Sequence, residues 1–421
     1  MTLAREIEQP ESKVFRRAYI KRRNLATGLY ETGWHEITRY VKRWGTLESR
    51  LDDIALNMFT HSGLLLTVRN DTGAFNHEDI ASSLWNGYLT RYRTLVKIEC
   101  GYEDTDGSDL PTNPSAGIFI MDKEIKTNAD SNDVALQCAS LRSIFDEVRV
   151  RDVASMGATG TASDYITKIK NHTDGSSNFV FQQFITSGAW SIETTTTNYN
   201  PATTTSLEAK TCWDYMVKLS QAEGKVVFID RTGGLRFESR PIVASTTVFD
   251  FSGQGFARPT IIRLEEYKEA WNKLYTFFRC KYLEPATSAS YVVAGTTTSV
   301  DPANVPWKYG ARVYEFENDF IPNTATAQGI VDNLLPLFST VKQEARILTK
   351  FAPQIELHDT VRASYYSYDA GEQPLWDTVN WDAFNWAQEG QNFDWFQKTF
   401  RVIGKELDLD NFTERFALRE V

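Results

Sequence analysis

Cysteine and histidine are scarce in this 421-residue chain, and the scarcity closes off several chemistries. The four cysteines, Cys100, Cys138, Cys212 and Cys280, lie far apart with no CxxC pair. Neither a zinc site nor a disulfide framework is indicated, and folding in a reducing cytoplasm is expected. The five histidines, His35, His61, His77, His172 and His358, form no HxH or HExxH arrangement, which argues against a catalytic zinc. No GxSxG, P-loop or GxGxxG falls in a strand-turn-helix setting, and the Gly157 to Gly160 stretch lacks the Lys-Ser/Thr of a phosphate cradle. Carboxylate neighbours such as Asp52 and Asp53 or Glu265 and Glu266 are too ordinary to mark a glycosidase, whose two acids are tuned separately across a cleft. The reading therefore expects no enzyme and no cofactor. No repeat of 20 to 50 residues recurs. No apolar run reaches the roughly 18 residues that would span a bilayer, and the opening MTLAREIEQPESKVFRRAYIKRR carries no apolar core of signal-peptide length. Neither a membrane span nor a cleaved signal is expected.

Aromatic residues are abundant: 13% of the chain, with 11 Trp and 18 Tyr. Such residues favour strands and interfaces, because they combine rigid apolar area with a polar handle. At a prior of about 150 residues per domain the length implies two to four cores. After a polar arm at 1–13, strand-like segments dominate to about 150, including GLLLTVRNDTGAF (63–75), whose Asn70-Asp71-Thr72-Gly73 suits a turn with positive φ. The stretch 151–245 is mixed. It holds a short helix within 161–170, a polar segment at 191–206 read as an exposed loop or weak strand, a helix within 207–223, and a hairpin around Asp230 to Gly234. From 246 to 421 strands return, interrupted by a helix at 323–339 that Pro336 should shorten or kink. The fold class is thus mainly β with an α+β insert: a first β-barrel domain at 14–150, a small α+β domain at 151–245, and a second barrel-like domain at 246–421.

The order of these elements resembles the tail-hub or baseplate-hub family of tailed phages and of gene-transfer or contractile particles. The carrying residues are Trp34-His35-Glu36-Ile37-Thr38, LTVRNDTGAF (66–75) and IECGY (98–102). They continue with TCWDYMVKLSQAEGKVVFIDRTGGLRFESR (211–240), EYKEAWNKLYTFF (266–278), IELHDTVRA (355–363) and the terminal FRVIGKELDLDNFTERFALREV (400–421). The resemblance implies two tail-tube-like barrels per chain and a homotrimer whose six barrels close the tail tube and adapt sixfold to threefold symmetry. It further implies contacts with distal tail or tail-tube proteins, a tape-measure protein and a central spike or fibre, in the virion tail tip. The net charge of −10 argues against specific nucleic-acid binding, yet suits a wall past which DNA slides without its phosphates being gripped. Two other readings stay open at this point: a carbohydrate-binding adhesin or glycosidase on β-sandwiches, and a hexameric distal tail protein.

Two local features are candidates for contact. In LWDTVNWDAFNWAQEGQNFDWF (375–396), Trp376, Trp381 and Trp386 recur every five residues, Asp377 and Asp382 follow two of them, and Trp395 lies near the end. Aromatics at this density either pack onto the barrel or a neighbouring subunit, or form a platform for sugar rings, with carboxylates accepting hydroxyl hydrogen bonds. Arg16, Arg17, Lys21, Arg22 and Arg23 form a basic cluster. Alternation sends Arg17, Lys21 and Arg23 one way and Arg16 and Arg22 the other; the cluster is either a solvated strand face or an electrostatic dock for an acidic partner.

Overall fold

The structure is a computed structural model. It describes residues 13–421 except 25–26, 53–57, 62, 76–88, 90–92, 104–107, 111–114, 123–125, 128–131, 155, 157–158, 175–176, 200–209, 240–246, 254–258, 271–273, 276, 285–288, 297–311, 319, 322, 339–340 and 367–392. Two half-barrel sheets dominate, as the fold class read from sequence requires. The first sheet runs, strand by strand, His35–Glu36, Lys13–Arg22, Thr94–Glu103, Ser115–Met121, Asp133–Ser140, Leu64–Arg69 and Val41–Arg43, with two short strands on its flanks. Every pairing in it is antiparallel. Its longest ladder pairs Lys13 with Glu103 through to Arg22 with Thr94, and alternation buries Ala18 and Ile20 on one strand and Val96, Ile98, Cys100 and Tyr102 on the other. Gly101 sits where a Cβ would lie 2.3 Å from the Leu110 carbonyl oxygen, so only glycine lets the short Asp109–Leu110 strand approach. The Asn70 turn forms as its residues imply: Gly73 has φ +69° and donates to the Asn70 carbonyl at 2.9 Å, while the Asn70 side chain accepts from Phe75 N at 2.7 Å.

The second sheet is assembled from distant parts of the chain. In order it runs Trp190–Ile192, Leu235–Ser239, Lys225–Ile229, Met58–His61, Thr46–Asp52, Phe393–Asp408, Thr413–Glu420, Gln343–Lys350 and Ile261–Glu269. Thr360–Tyr366 also pairs with Phe393–Asp408 and carries Phe249–Ser252 parallel beside it. One apolar cluster runs from the first sheet, through Trp44 and Leu47, to Phe400, Val402, Phe416 and Leu418 of the second and to Phe351 just past its strand Gln343–Lys350. The two half-barrels therefore share a continuous interior.

A second core gathers the helices. Helix α1 is Arg142–Glu147, α2 is Ala162–Lys170, α3 is Cys212–Ala222 and α4 is Thr324–Phe338. Helix α2 starts at a capping box, in which Thr161 Oγ1 accepts from Asp164 N at 3.2 Å and Asp164 Oδ2 accepts from Thr161 N at 2.9 Å. It buries Tyr165, Ile166 and Ile169 at helical spacing. Helix α3 begins at Thr211, whose hydroxyl accepts from Asp214 N at 3.1 Å, and buries nearly every side chain. Tyr215 of α3 meets Phe320 edge-on, with ring centroids 4.8 Å apart. Through such contacts α4 and the strand Phe277–Glu284 join the same core as α1 to α3.

For 191–206 the weak-strand alternative holds where the stretch is described, and the expectation for Pro336 changes. The polar stretch 191–206 is tied in where it is described: Trp190–Ile192 pairs parallel with Leu235–Phe237, Asn198–Tyr199 pairs with Gly160–Thr161, and Thr195 and Tyr199 are buried. Helix α4 runs 15 residues, past Pro336 to Phe338. A proline in the last turn removes one hydrogen bond near the helix end, where the ladder is already finishing.

Candidate functional site

The strand Lys13–Arg22 places the basic cluster along one ladder of the first sheet, but the side chains do not act as one patch. Arg16 reaches toward the C-terminal hairpin. Its guanidinium donates to the Leu409 carbonyl, lies 3.7 Å from an Asp410 oxygen, and sits over the Trp44 and Phe412 rings at 5.0 and 4.9 Å. Burial lowers its pKa, opposed by Asp410 and Asp408. Arg17 holds Asp109 with two hydrogen bonds, at 2.7 and 3.0 Å, and that pairing raises its pKa. Arg22 pairs with Glu31 at 2.9 Å. Arg23, past the strand end, donates to the Gly28 carbonyl at 2.6 Å and to the Gln183 side chain. Lys21 has a different surrounding: its ammonium lies 5.3 Å from the centre of the Trp34 ring.

Of the tryptophan-rich segment, Trp376, Asp377, Trp381, Asp382 and Trp386 lie outside the described residues. Trp395 belongs to the strand Phe393–Asp408, opposite Tyr365, at an irregularity in the register with Thr360–Tyr366.

No local sequence pattern marks a cleft of about 330 Å³ where the first sheet, the hairpin 225–239 and the segment 351–359 converge. Its wall includes Cys100, Ser115, Asp230, Arg231, Glu238, Asp359 and Lys405. The segment 351–359 is fastened from several sides. Tyr102 donates its hydroxyl to the Phe351 carbonyl, and Arg231 donates to the Pro353 carbonyl at 3.3 Å while pairing with Glu356 at 2.6 Å. Lys405 donates to the Ile355 and Pro353 carbonyls at 2.8 and 3.3 Å, and Glu414 accepts from Ala352 N at 2.8 Å. Lys405 Nζ also lies 3.3 Å from Glu414 Oε1, and Glu414 is 0% exposed. His358 adopts φ +71°, a left-handed conformation that costs about 1–2 kcal/mol for such a residue, and its N–H donates to Val402 O at 2.9 Å. Burial raises the pKa of Glu414 against the pull of Lys405 and the Ala352 amide, and burial likewise raises that of Asp359. Burial also pushes the Cys100 thiol up to about 12, the reverse of what a nucleophilic cysteine needs. The arrangement bonds one segment both to Tyr102 of the first sheet and to Lys405 and Glu414 of the second.

The outer face of the second sheet carries a different ionic pattern. Arg346 and Arg415 each touch both Glu265 and Glu406, at 3.3 and 3.0 Å for Arg346 and at 3.1 and 2.8 Å for Arg415. Each arginine is thereby neutralised in place across neighbouring strands. A signal for the buried pair was present in the sequence: Glu414 stands on the same alternation as Phe416 and Leu418 in TERFALREV, so a carboxylate falls on an apolar face. Among the described residues no group of three His, Cys, Asp or Glu side chains could hold a metal ion. No described helix is long and apolar enough to cross a membrane.

No family model matches the sequence, and no curated protein matches it. Among solved structures, the tail protein from Neisseria meningitidis MC58 aligns over 97% of this chain and 96% of its own, at 10% identity and a TM-score of 0.52. This chain therefore has the fold of that tail protein. Prophage tail protein gp18 from Listeria monocytogenes EGD-e aligns over 96% of this chain and 94% of its own, at 11% identity and a TM-score of 0.48. The 43 kDa tail protein of prophage MuSo2 from Shewanella oneidensis aligns over 96% and 98%, at 9% identity and a TM-score of 0.47.

Proposed function

We propose that this chain is a structural subunit of a phage-type tail, forming the hub ring at the tail tip. The observation that carries the reading is the pair of half-barrels in one chain, joined by a continuous core and fastened at the cleft. Three such chains supply six half-barrels, so a threefold ring presents a sixfold wall to a hexameric tube. The fold shared with the Neisseria tail protein supports the placement. The ring closes the tube, passes DNA through its lumen without binding it specifically, and meets distal tail or tube proteins and the tape-measure end above, with a spike or fibre below. Its role is geometric rather than catalytic, and its site of action is the virion tail tip after folding in the host cytoplasm.

Light scattering on the purified full chain tests the ring. Three times the chain mass is expected, held by an interface beyond about 2,000 Å². A monomer at every concentration would overturn the reading, and a hexamer would favour a distal tail ring.

A further inference from the structure

The cleft beside the segment 351–359, at about 330 Å³, falls in the range of about 300–1,000 Å³ typical of small-molecule sites. Part of its wall is apolar, through Leu47, Phe228, Ile355 and Leu407. The rest carries four carboxylates, Asp230, Glu238, Glu356 and Asp359, and two bases, Arg231 and Lys405. Both bases are spent within the protein. Arg231 pairs with Glu356 at 2.6 Å, and Lys405 lies 3.3 Å from Glu414 while donating to two backbone carbonyls. Asp230 is taken by Arg236, which donates to it at 2.7 Å, and by the Thr232 and Gly234 amides. Glu238 and Asp359 are left over. Asp359 accepts from Glu356 N at 2.7 Å, and neither carboxylate has an ion pair among the described residues. Burial raises the pKa of both. It outweighs the opposing charge of Arg236 for Glu238, and those of Lys405 and Arg231 for Asp359. Burial also pushes the Cys100 thiol up to about 12, and both ring nitrogens of His358 are buried, so neither side chain presents a charge to the opening.

We propose that this cleft is a binding site for an organic cation, an ammonium or guanidinium group carried on an aliphatic stem. The stem covers the apolar wall, and the cationic head donates to Glu238 and Asp359. Hydrogen bonds between ionised partners are about twice as strong as neutral ones, and their attraction grows where the walls exclude water. Free alkylamines and the Lys or Arg side chain of a bound protein share this chemistry. The proposal does not depend on the ring reading.

The test is isothermal titration calorimetry of the full chain with three probes: pentylammonium chloride, pentanol as the stem without the charge, and N-acetyl-lysine methylamide. The native sequence is compared with D359N, E238Q and E36Q. D359N keeps an acceptor for the Glu356 amide, and E36Q removes a carboxylate at exposed Glu36 in a short strand of the first sheet. Pentylammonium should bind at least tenfold more tightly than pentanol. D359N and E238Q should each weaken it about tenfold, and E36Q should leave it unchanged. Thermal melts check that each variant is folded. Binding of the lysine derivative, with the same losses in D359N and E238Q, supports the site and assigns it to a protein side chain; binding of pentylammonium alone supports it and assigns a free amine. The proposal is overturned if neither cation gives a saturable heat, if pentanol binds as tightly as pentylammonium, or if D359N and E238Q both bind it as the native chain does.

Discussion

Two ion pairs on the same two strands, one residue out of step with each other, behave in opposite ways. Lys405 and Glu414 point inward; Glu406 and Arg415 point outward. In the first pair the carboxylate is 0% exposed, and the lysine, 15% exposed, also holds two backbone carbonyls. In the second pair the side chains are 28% and 32% exposed and belong to a larger arginine–glutamate network. Alternation, with its parity set by the register irregularity between Val402 and Gly404, assigns the faces, and the face decides the energetics. A buried pair is costly to break because the survivor is left charged in a poor solvent, whereas an exposed pair competes with water and salt. The inner pair fastens the segment 351–359 to the second sheet; the outer network keeps a sheet face polar and close to neutral.

Several substitutions sharpen that contrast. The largest effect is expected from Lys405→Met, which strands Glu414: about 3–5 kcal/mol of stability lost at neutral pH, measured by chemical denaturation. The double variant K405M/E414L should recover much of that loss, since removing both charges leaves neither unpaired. If the double variant is as unstable as K405M alone, the carboxylate is not the source of the penalty. Tyr102→Phe removes the donor to the Phe351 carbonyl, and should cost about 1–3 kcal/mol by leaving that oxygen unsatisfied. Glu406→Gln on the outer face should cost at most about 1 kcal/mol, with the difference shrinking in salt.

The pH dependence separates the inner face from the surface by sign. Glu414 has a raised pKa in the folded state, mainly from burial, so the folded chain binds that proton more tightly than the unfolded chain. The associated stability is full below the unfolded carboxylate value of about 4.3 and is lost as pH rises through the raised value. The K405M penalty should therefore shrink on acidification. Asp164, in the capping box of α2, is lowered because it accepts from Thr161 N. Its contribution is present above the unfolded value and is lost as pH falls through the lowered one. Asp164→Asn should flatten the acid side of the stability profile, the smallest effect of the series.

Local pattern made much of the fold legible. Helix α3 stops at Ala222, two residues before Gly224 at φ +65°, and the Asn70 turn forms where its residues demand positive φ. What local pattern could not supply was pairing. The strand Thr46–Asp52 has only Leu47 and Leu51 as buried apolar side chains, a faint period-two signal, yet it bridges the strands of the C-terminal half to those of the hairpin 225–239 through Met58–His61. Likewise the buried positions shift from Phe400 and Val402 to Leu407 and Leu409. That change of parity marks the register irregularity between Val402 and Gly404, and it turns Lys405 inward toward Glu414. The basic cluster was visible as composition, but its division into four engaged side chains and Lys21 depends on Asp109, Glu31, Gln183 and Leu409, which are remote from it or set by the fold.

Electron cryo-microscopy of the assembled particle tip tests the central claim most directly. A threefold ring of this chain is expected, in which six half-barrel walls surround the lumen. A ring of six copies, or a tip from which this chain is absent, would contradict it.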